Sequence, residues 1–108
     1  GLRVGVAHSA YSATKAAVVH MTKAMALELL KFGIRVNCIC PGYFWTEMTT
    51  DFFTSPAGKR FASRKIPMKR LGKVEELDGI ILLLCSDASS FMTGSIVPVD
   101  GGHLIGSL

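Results

Sequence analysis

The sequence is poor in the features that mark several broad classes of protein. Charged residues make up only 19% of its 108 residues and apolar residues 49%, a balance that excludes a disordered chain. The longest apolar run, residues 80–85, is six residues long, whereas a membrane-spanning helix needs about 20. The first residues lack the apolar segment and the cleavage site of a secretory signal. We therefore expect one domain and no membrane partner.

Cysteine is also scarce. Cys38, Cys40 and Cys85 are an odd number of cysteines without the spacing of metal ligands, so the sequence predicts no metal site. Cys38 and Cys40 lie two residues apart in an apolar segment, where a strand would turn both side chains to the same side. Buried apolar packing is the simplest interpretation of these two cysteines. A reducing, cytoplasmic location is the default expectation.

Basic residues are unevenly distributed. The net charge is +4, and seven of the twelve basic residues fall within residues 59–73. A phosphate-binding patch would have this appearance, but no recognition-helix, RNA-binding or zinc-finger pattern accompanies it. A solvated face or a mobile loop is the better interpretation. We predict no nucleic-acid partner and keep nucleic-acid binding through residues 59–73 as a minor alternative.

A long helix is the strongest element that the sequence predicts. Ser9 is a candidate N-cap, and residues 10–31 contain no glycine or proline and are rich in alanine, leucine, methionine and lysine. Gly33 can close the helix in the left-handed conformation. Because the helix is apolar almost all round, we expect it to be covered on more than one side. Its own sheet would cover one face, and a second subunit would cover another.

The rest of the chain predicts an α/β arrangement. A buried strand is predicted at residues 34–39, and it stops at Pro41-Gly42. An irregular aromatic segment at 43–53 and a basic mobile segment at 54–70 follow it. The last predicted elements are a helix at 74–86 and a strand at 95–99, after which the chain turns at Asp100-Gly101-Gly102. Residues 103–108 predict no element. The order strand, helix, strand predicts a right-handed βαβ unit. Two parallel strands make a narrow sheet, so we expect more protein to complete it.

Tyr11 and Lys15 carry the candidate chemistry. They are four residues apart on the long helix, which places both side chains on one face about a turn apart. A phenol has a pKa near 10, and a neighbouring ammonium lowers that pKa by stabilising the phenolate. Lowering it to 7 takes about 4 kcal/mol, and Tyr11 would then exchange a proton with a carbonyl or alcohol oxygen. By spacing alone, however, the pair is more typical of an ordinary helix surface.

The segments around this pair decide between the two interpretations. They are Tyr11-Ser12-Ala13-Thr14-Lys15, Asn37-Cys38-Ile39-Cys40-Pro41-Gly42, Thr46, residues 67–77, residues 86–94 and Val99-Asp100-Gly101-Gly102. In this order they resemble the active-site helix, the following strand and turn, and the last helix and strand of short-chain dehydrogenases/reductases. Within that family the chain is most similar to 3-oxoacyl-carrier-protein reductases and to sugar-acid or polyol dehydrogenases.

The resemblance implies a role for each matching residue. Tyr11 would be the acid/base, and Lys15 would bind the nicotinamide ribose and lower the pKa of Tyr11. The residues that would contact the cofactor, NAD or NADP, are Tyr11, Lys15, Pro41, Gly42, Phe44 through its backbone, and Thr46. For Pro41-Gly42, a plain strand-ending turn needs the same geometry.

An aromatic segment follows the Pro-Gly turn. In the family this segment closes over the substrate, here a small ketone or secondary alcohol, so Tyr43, Trp45 and Met48 would contact it. Equally, these residues could pack the segment together with Phe52 and Phe53. The basic residues 59–73 would belong to the same segment and would suit a carboxylate, phosphate or acyl-carrier substrate.

The implied fold class is α/β. Residues 1–108 would be the carboxy-terminal part of a doubly wound, parallel-sheet Rossmann-type domain. None of the eleven glycines forms the family's glycine-rich dinucleotide-binding turn, and the family's catalytic serine would precede Gly1. We expect the 108 residues alone neither to bind the dinucleotide tightly nor to turn over. The whole enzyme would be a homodimer or homotetramer through helix 10–31 and the last helix and strand. A non-catalytic assembly fragment is the alternative.

Overall fold

The computed structural model describes residues 6–106 of the chain, with side chains from residue 13 onward. The chain divides into two compact units. The first unit contains the residues up to Cys38 and Ser90–Ile96, and the second contains Ile39–Ser89 and the residues from Val97 on.

The first unit is built on helix α1, Val6–Leu29. Alanine, leucine, methionine and lysine dominate it, and these residues lose little conformational freedom in a helix. The helix starts before Ser9, so the prediction that Ser9 is its N-cap is wrong. No glycine or proline lies between Val6 and Ser9, and the helix therefore extends back past the candidate cap.

A capping motif ends α1. A 3₁₀ turn, Leu30–Phe32, follows the helix, and Gly33 has a φ of 72°. The Gly33 N–H donates to the Leu30 carbonyl (2.9 Å), and the Ile34 N–H donates to the Leu29 carbonyl (3.3 Å). This pair of bonds forms a Schellman motif, which needs a residue in the left-handed conformation. The predicted role of Gly33 is confirmed.

Much of α1 is uncovered within the described residues. From residue 13 onward its only buried side chains are Thr22 and Ala26, and Leu27 is 76% exposed. The other exposed large apolar side chains along this helix and the turn after it are Val18, Met21, Met25, Leu30 and Phe32. Residues 6–106 therefore do not provide the coverage on more than one side that the sequence predicts.

An asparagine clamp organises the segment between α1 and the sheet. The Asn37 amide nitrogen donates to the Met92 carbonyl (3.2 Å), and its amide oxygen accepts the Ser95 N–H (3.0 Å). The Arg35 guanidinium also donates to the Met92 carbonyl (3.1 Å). Because this segment is held through side chains rather than a regular backbone ladder, the predicted strand is wrong at its start.

The sheet consists of β1, Cys38–Pro41, and β2, Ile96–Val99. The N–H of the first β1 residue donates to the Ser95 carbonyl (2.8 Å), and the Gly42 N–H donates to the carbonyl of the last β2 residue (3.0 Å). From the first bond to the second, the residue numbers rise on both strands, so the strands are parallel, as predicted. The prediction that Cys38 and Cys40 are buried is wrong, because both are only half-buried. Two strands alone are too narrow to bury both faces of a parallel sheet.

Two short helices follow the sheet turn. They are α2, Glu47–Thr54, and α3, Pro56–Lys65. The residue between them, Ser55, caps α3 because its hydroxyl accepts the Gly58 N–H (3.1 Å). The prediction of an irregular segment at residues 43–53 is therefore wrong from Glu47 on, and a helix forms within residues 54–70, which the sequence predicts to be mobile. Local caps and tertiary packing support both helices, and the composition disfavours a helix only in α2.

A small core holds α2 and α3 together in the second unit. Its buried residues are Phe53, Ala62, Ile66 and Leu71, and Phe53 is only 5% exposed. Gly58 is buried at the contact between the helices, where an added Cβ would overlap the Phe52 carbonyl. The close approach of the two helices therefore requires glycine at position 58.

The remaining helices are short. A 3₁₀ turn at Val74–Leu77 leads into α4, Asp78–Leu84. The predicted helix at residues 74–86 is thus confirmed in position but begins with a tighter turn. After β2, helix α5, His103–Gly106, forms where the sequence predicted no element. Among residues 6–106 no helix has the length and apolarity to span a membrane, and no group of His, Cys, Asp or Glu there is arranged to hold a metal ion.

Substituting Gly58→Ala is expected to destabilise the full-length protein by about 1–3 kcal/mol, because the added methyl group forces α2 and α3 apart. Gly79→Ala on α4 is the matched control. Its added Cβ would meet nothing within 4 Å, so the helix propensity of alanine should stabilise the protein by about 0.5–1 kcal/mol. Urea unfolding measures both changes. Equal stabilities of the two variants would contradict the packing derived for Gly58.

Candidate active site

The predicted acid/base pair lies on α1. Tyr11 and Lys15 both fall within Val6–Leu29, so their spacing corresponds to about one turn of continuous helix. The Tyr11 side chain lies outside the described side chains. Lys15 is half-buried and forms no ion pair within the described residues. It lines a shallow groove along the helix with Ala16, Val19, His20 and Lys23.

Two glycines hold the predicted cofactor turn close to its neighbours in the second unit. Pro41 ends β1, and a Cβ added to Gly42 would lie 2.7 Å from the Asp100 Cβ. A Cβ added to Gly72 would lie 2.5 Å from the Phe44 ring. Any larger residue at position 42 or 72 would push these segments apart. The Pro-Gly turn is therefore both a strand ending and a fitted contact.

Phe44 forms a backbone bridge with Gly72, and its own N–H and C=O point away from that partner. It is paired in parallel with Gly72: the Gly72 N–H donates to the Tyr43 carbonyl, and the Trp45 N–H donates to the Gly72 carbonyl, both at 2.9 Å. In this pattern the N–H and C=O of the central residue face the opposite side. The Phe44 carbonyl accepts the Thr49 hydroxyl there (2.6 Å). The Phe44 N–H has no hydrogen-bond partner within residues 6–106 and remains an available donor.

Thr46 is the N-cap of α2. Its hydroxyl accepts the Thr49 N–H (3.3 Å), and its own N–H donates to the Thr49 hydroxyl (2.9 Å). These reciprocal bonds form a capping box. This capping role explains why residue 46 is a threonine, and it does not require a ligand. The Thr49 hydroxyl hydrogen goes to the Phe44 carbonyl, so the exposed Thr46 hydroxyl donates its own hydrogen to the Thr49 oxygen (3.2 Å).

The predicted substrate residues separate into two groups. The Tyr43 ring packs against Phe53 (5.6 Å between centroids) and Phe61 (5.3 Å), and the Trp45 ring packs against Phe53 (6.4 Å). Tyr43 and Trp45 thus help pack the segment while each keeps an exposed edge. Met48 is 94% exposed and takes no part in the aromatic cluster.

A cleft of about 150 Å³ opens beside this cluster. Its apolar wall contains Tyr43, Phe44 and Met68, and its polar wall contains Arg70, Glu76 and Asp100. The sequence predicts no site role for Glu76 or Asp100, and it gives Arg70 a role only as one of the basic residues 59–73. Two features of the sequence could have indicated this polar wall: an aspartate directly before two glycines, and a pair of opposite charges on either side of Gly72.

Arg70 and Glu76 form a bidentate ion pair in the polar wall. The two guanidinium nitrogens lie 2.8 and 2.9 Å from the two carboxylate oxygens, and the Lys73 N–H also donates to the carboxylate (2.9 Å). These hydrogen bonds, first those from Arg70, lower the pKa of Glu76 to about 2. The pair joins the segment after α3 to the turn that leads into α4.

Most of the basic cluster lies on the helix α3. Apart from Arg70, its exposed members on and directly after α3 are Lys59, Arg60, Arg64, Lys65 and Lys69. None of these five forms an ion pair within the described part of the chain. The helix α3 therefore presents a solvated, positively charged face, one of the two arrangements that the sequence predicts.

Known proteins similar to this chain match nearly all of it. A family model described as enoyl-(acyl carrier protein) reductase matches residues 1–103. A short-chain dehydrogenase/reductase of Diaporthe leptostromiformis, PhomF, is 44% identical over 105 residues, covering 94% of this chain and 36% of its own length. The 3-oxoacyl-(acyl-carrier-protein) reductase FabG of Thermotoga maritima is 43% identical over 95 residues, covering 88% of this chain and 38% of its own length.

A solved structure gives the same result. The crystal structure of a gluconate 5-dehydrogenase from Burkholderia cenocepacia J2315, in complex with NADP and tartrate, matches with a TM-score of 0.80 at 38% identity. The match covers 88% of this chain and 37% of that protein. The chain therefore spans little more than a third of the length of the relatives that it matches.

Replacing Glu76 by glutamine should change how stability depends on pH. The pKa of Glu76 is lowered from 4.5 to about 2 in the folded chain, so its ionised form stabilises the fold above pH 4.5. That contribution is lost as the pH falls from 4.5 towards 2. We expect the free energy of unfolding to fall less steeply across this range in Glu76→Gln than in the wild type.

Denaturant unfolding of the full-length protein at several pH values measures this difference. Glu75→Gln, which leaves the Arg70–Glu76 pair intact, is the matched control and should follow the wild type. An identical pH dependence of Glu76→Gln and the wild type would show that the pair contributes nothing to acid stability.

Proposed function

Because the chain belongs to the short-chain dehydrogenase/reductase family, we propose that it is the carboxy-terminal part of an enzyme that transfers hydride between a nicotinamide dinucleotide and a ketone or secondary alcohol. Its fold is the carboxy-terminal part of a doubly wound, parallel-sheet Rossmann-type α/β domain, as predicted. The observation that carries the proposal is the continuous helix α1, on which Tyr11 and Lys15 lie one turn apart.

In this proposal Tyr11 is the acid/base. During reduction its hydroxyl donates a proton to the carbonyl oxygen, and during oxidation the phenolate accepts the proton of the alcohol. The bound dinucleotide supplies or accepts the hydride. The Lys15 ammonium favours the phenolate form by its charge. Since no carboxylate within the described residues pairs with Lys15, that charge is available to the phenolate.

The donors around the turn after β1 suit the nicotinamide end of NAD or NADP. The Phe44 N–H fits a carboxamide oxygen, and the Thr46 hydroxyl can turn its hydrogen from Thr49 to an oxygen of the cofactor. In the first unit, the Lys15 ammonium fits ribose hydroxyls. Pro41 and Gly42 would form the backbone surface against the ring. The gluconate 5-dehydrogenase contains NADP, which supports this cofactor class for our chain and leaves the choice between the two forms open.

The substrate we propose is a small carbonyl or alcohol that enters beside the aromatic cluster. The exposed edges of Tyr43 and Trp45 would form an apolar wall, and the exposed Met48 on α2 would contact the substrate as well. The basic face of α3 suits a substrate that carries a carboxylate, a phosphate or an acyl carrier. The relatives named for an acyl-carrier-protein substrate and for gluconate support this class.

The 108 residues hold only part of this apparatus. They contain no glycine-rich dinucleotide-binding turn, so the proposal assigns pyrophosphate binding to protein outside them. For the same reason we expect these residues alone neither to bind the dinucleotide tightly nor to turn over. The cytoplasmic location expected from the cysteines also stays a prediction.

Tyr11→Phe should lower kcat of the full-length enzyme by about 10²–10⁴-fold, because the proton donor is lost. Lys15→Met should lower kcat and move the basic limb of the pH profile upward, because the phenol loses its cationic neighbour. Lys23→Met in the same groove is the control and should retain wild-type kcat. Reduction of ethyl acetoacetate with NADH and NADPH is a suitable assay. Undiminished turnover in Tyr11→Phe would refute the proposed mechanism.

The uncovered apolar surface of α1 favours assembly. We propose that another part of the protein and a second copy cover it, giving a homodimer or homotetramer through helix 10–31 and the last helix and strand. Sedimentation velocity of the full-length protein should show a dimer or tetramer at micromolar concentration. Leu27→Glu should shift the distribution to smaller species, because it places a charge on the proposed interface. A monomeric wild type would contradict the proposal.

A further inference from the structure

His103 contacts the helical segment after the sheet turn at two points. Its Nδ1 lies 2.9 Å from the Lys65 carbonyl oxygen, and its ring meets the Tyr43 ring edge to face, with 5.3 Å between centroids and 76° between planes. A carbonyl oxygen only accepts hydrogen bonds, so the Nδ1 carries the hydrogen. One side chain therefore joins the end of α3 to a residue that we propose as part of the substrate wall.

The bond from His103 reaches α3 at its carboxy-terminal end. Lys65 is the last residue of α3, and the carbonyls in the last turn of a helix have no intrahelical partner. The His103 N–H supplies one from a segment distant in sequence. The imidazole thereby acts as a tertiary C-cap and fixes the end of α3.

His103 is itself held in place by Asp100. One Asp100 carboxylate oxygen accepts the Gly102 N–H (2.9 Å), and the other accepts the Leu104 N–H (3.0 Å). The His103 N–H donates to the Asp100 carbonyl (3.1 Å). Three consecutive amides are thus bound to one residue, which leaves the His103 backbone little freedom. The imidazole is presented to α3 from a fixed position.

A second contact lies beside the first. The Met68 N–H donates to the Gly101 carbonyl (3.0 Å). A Cβ added to Gly102 or Gly106 would lie 3.1 or 2.9 Å from Pro67, so the turn around His103 lies directly against the residues that follow α3. The Tyr43 ring also packs against Phe53 and Phe61, which belong to α2 and α3.

From these contacts we infer that His103 is a positioning residue that holds α2 and α3, the lid over the proposed substrate site, in place against Tyr43. A lid that is already ordered before the substrate binds loses little conformational entropy on binding, so substrate affinity is higher. Loss of the His103 bond therefore raises KM for the substrate and leaves the chemical step at Tyr11 unchanged. The effect on KM rests on the proposed function, whereas the effect on the order of the lid does not.

Three variants of the full-length enzyme test the inference. His103→Phe keeps a ring against Tyr43 but removes the donor. His103→Asn keeps a donor at the position of Nδ1 and removes most of the ring. Ile105→Ala, on the same short helix and 71% exposed, is the matched control. Amide hydrogen exchange of residues 61–66 reports the order of the lid, and the kinetics of ethyl acetoacetate reduction report KM and kcat.

We expect His103→Phe to speed exchange of residues 61–66 and to raise KM, each by about 3- to 10-fold, the range for one net hydrogen bond. Its kcat, the exchange in α4 and all values for Ile105→Ala should stay close to wild type. His103→Asn should restore most of the lid protection. Unchanged exchange in His103→Phe, or exchange that rises equally along the whole chain, would overturn the inference. A wild type that reduces no ketone would remove the proposed function, and hydrogen exchange alone would still decide the role of His103.

Discussion

The two hydrogen bonds between Gly72 and the residues on either side of Phe44 fix the rest of the second unit. They bring the turn after β1 next to the segment that follows α3, so α2 and α3 form a loop whose two ends are joined. Closing such a loop costs conformational entropy once, and the buried core around Phe53 offsets that cost. The bridge forms only because residue 72 has no side chain, since the Phe44 ring, 8% exposed, occupies the space where one would lie.

The sequence predicts those parts of the fold whose cause is local. The long helix follows from its composition, its end from Gly33, and the turn after β2 from the Asp-Gly-Gly run, where both glycines have positive φ. The order of helix, strand, helix and strand, together with the motifs around Tyr11, predicts the family and the fold class. For the site, the sequence predicts which residues follow β1 and places Tyr11 and Lys15 on one helix.

The predictions fail where the cause is distant in sequence. The start of β1 depends on Asn37 bonding to Met92 and Ser95, which no local pattern reveals. The helix α2 is poor in strong helix formers, and α3 contains a buried glycine. Thr46 and Ser55 cap these two helices, and Phe53 packs between them. The parts played by Asp100 and His103 depend on contacts with segments far from them along the chain, and no periodicity signals such contacts.

The two units make unequal contributions to the proposed chemistry. The second unit has its own core, capped helices and fitted glycines, so the donors at Phe44 and Thr46 are held by contacts within it. The first unit provides only the helix, and that helix leaves most of its apolar side chains exposed among the described residues. Lowering the pKa of a phenol from about 10 to 7 takes about 4 kcal/mol and needs a site sheltered from water. In the proposed enzyme that shelter must come from protein packed over α1. The spacing of Tyr11 and Lys15 therefore specifies which groups react, and the burial of α1 determines whether they can.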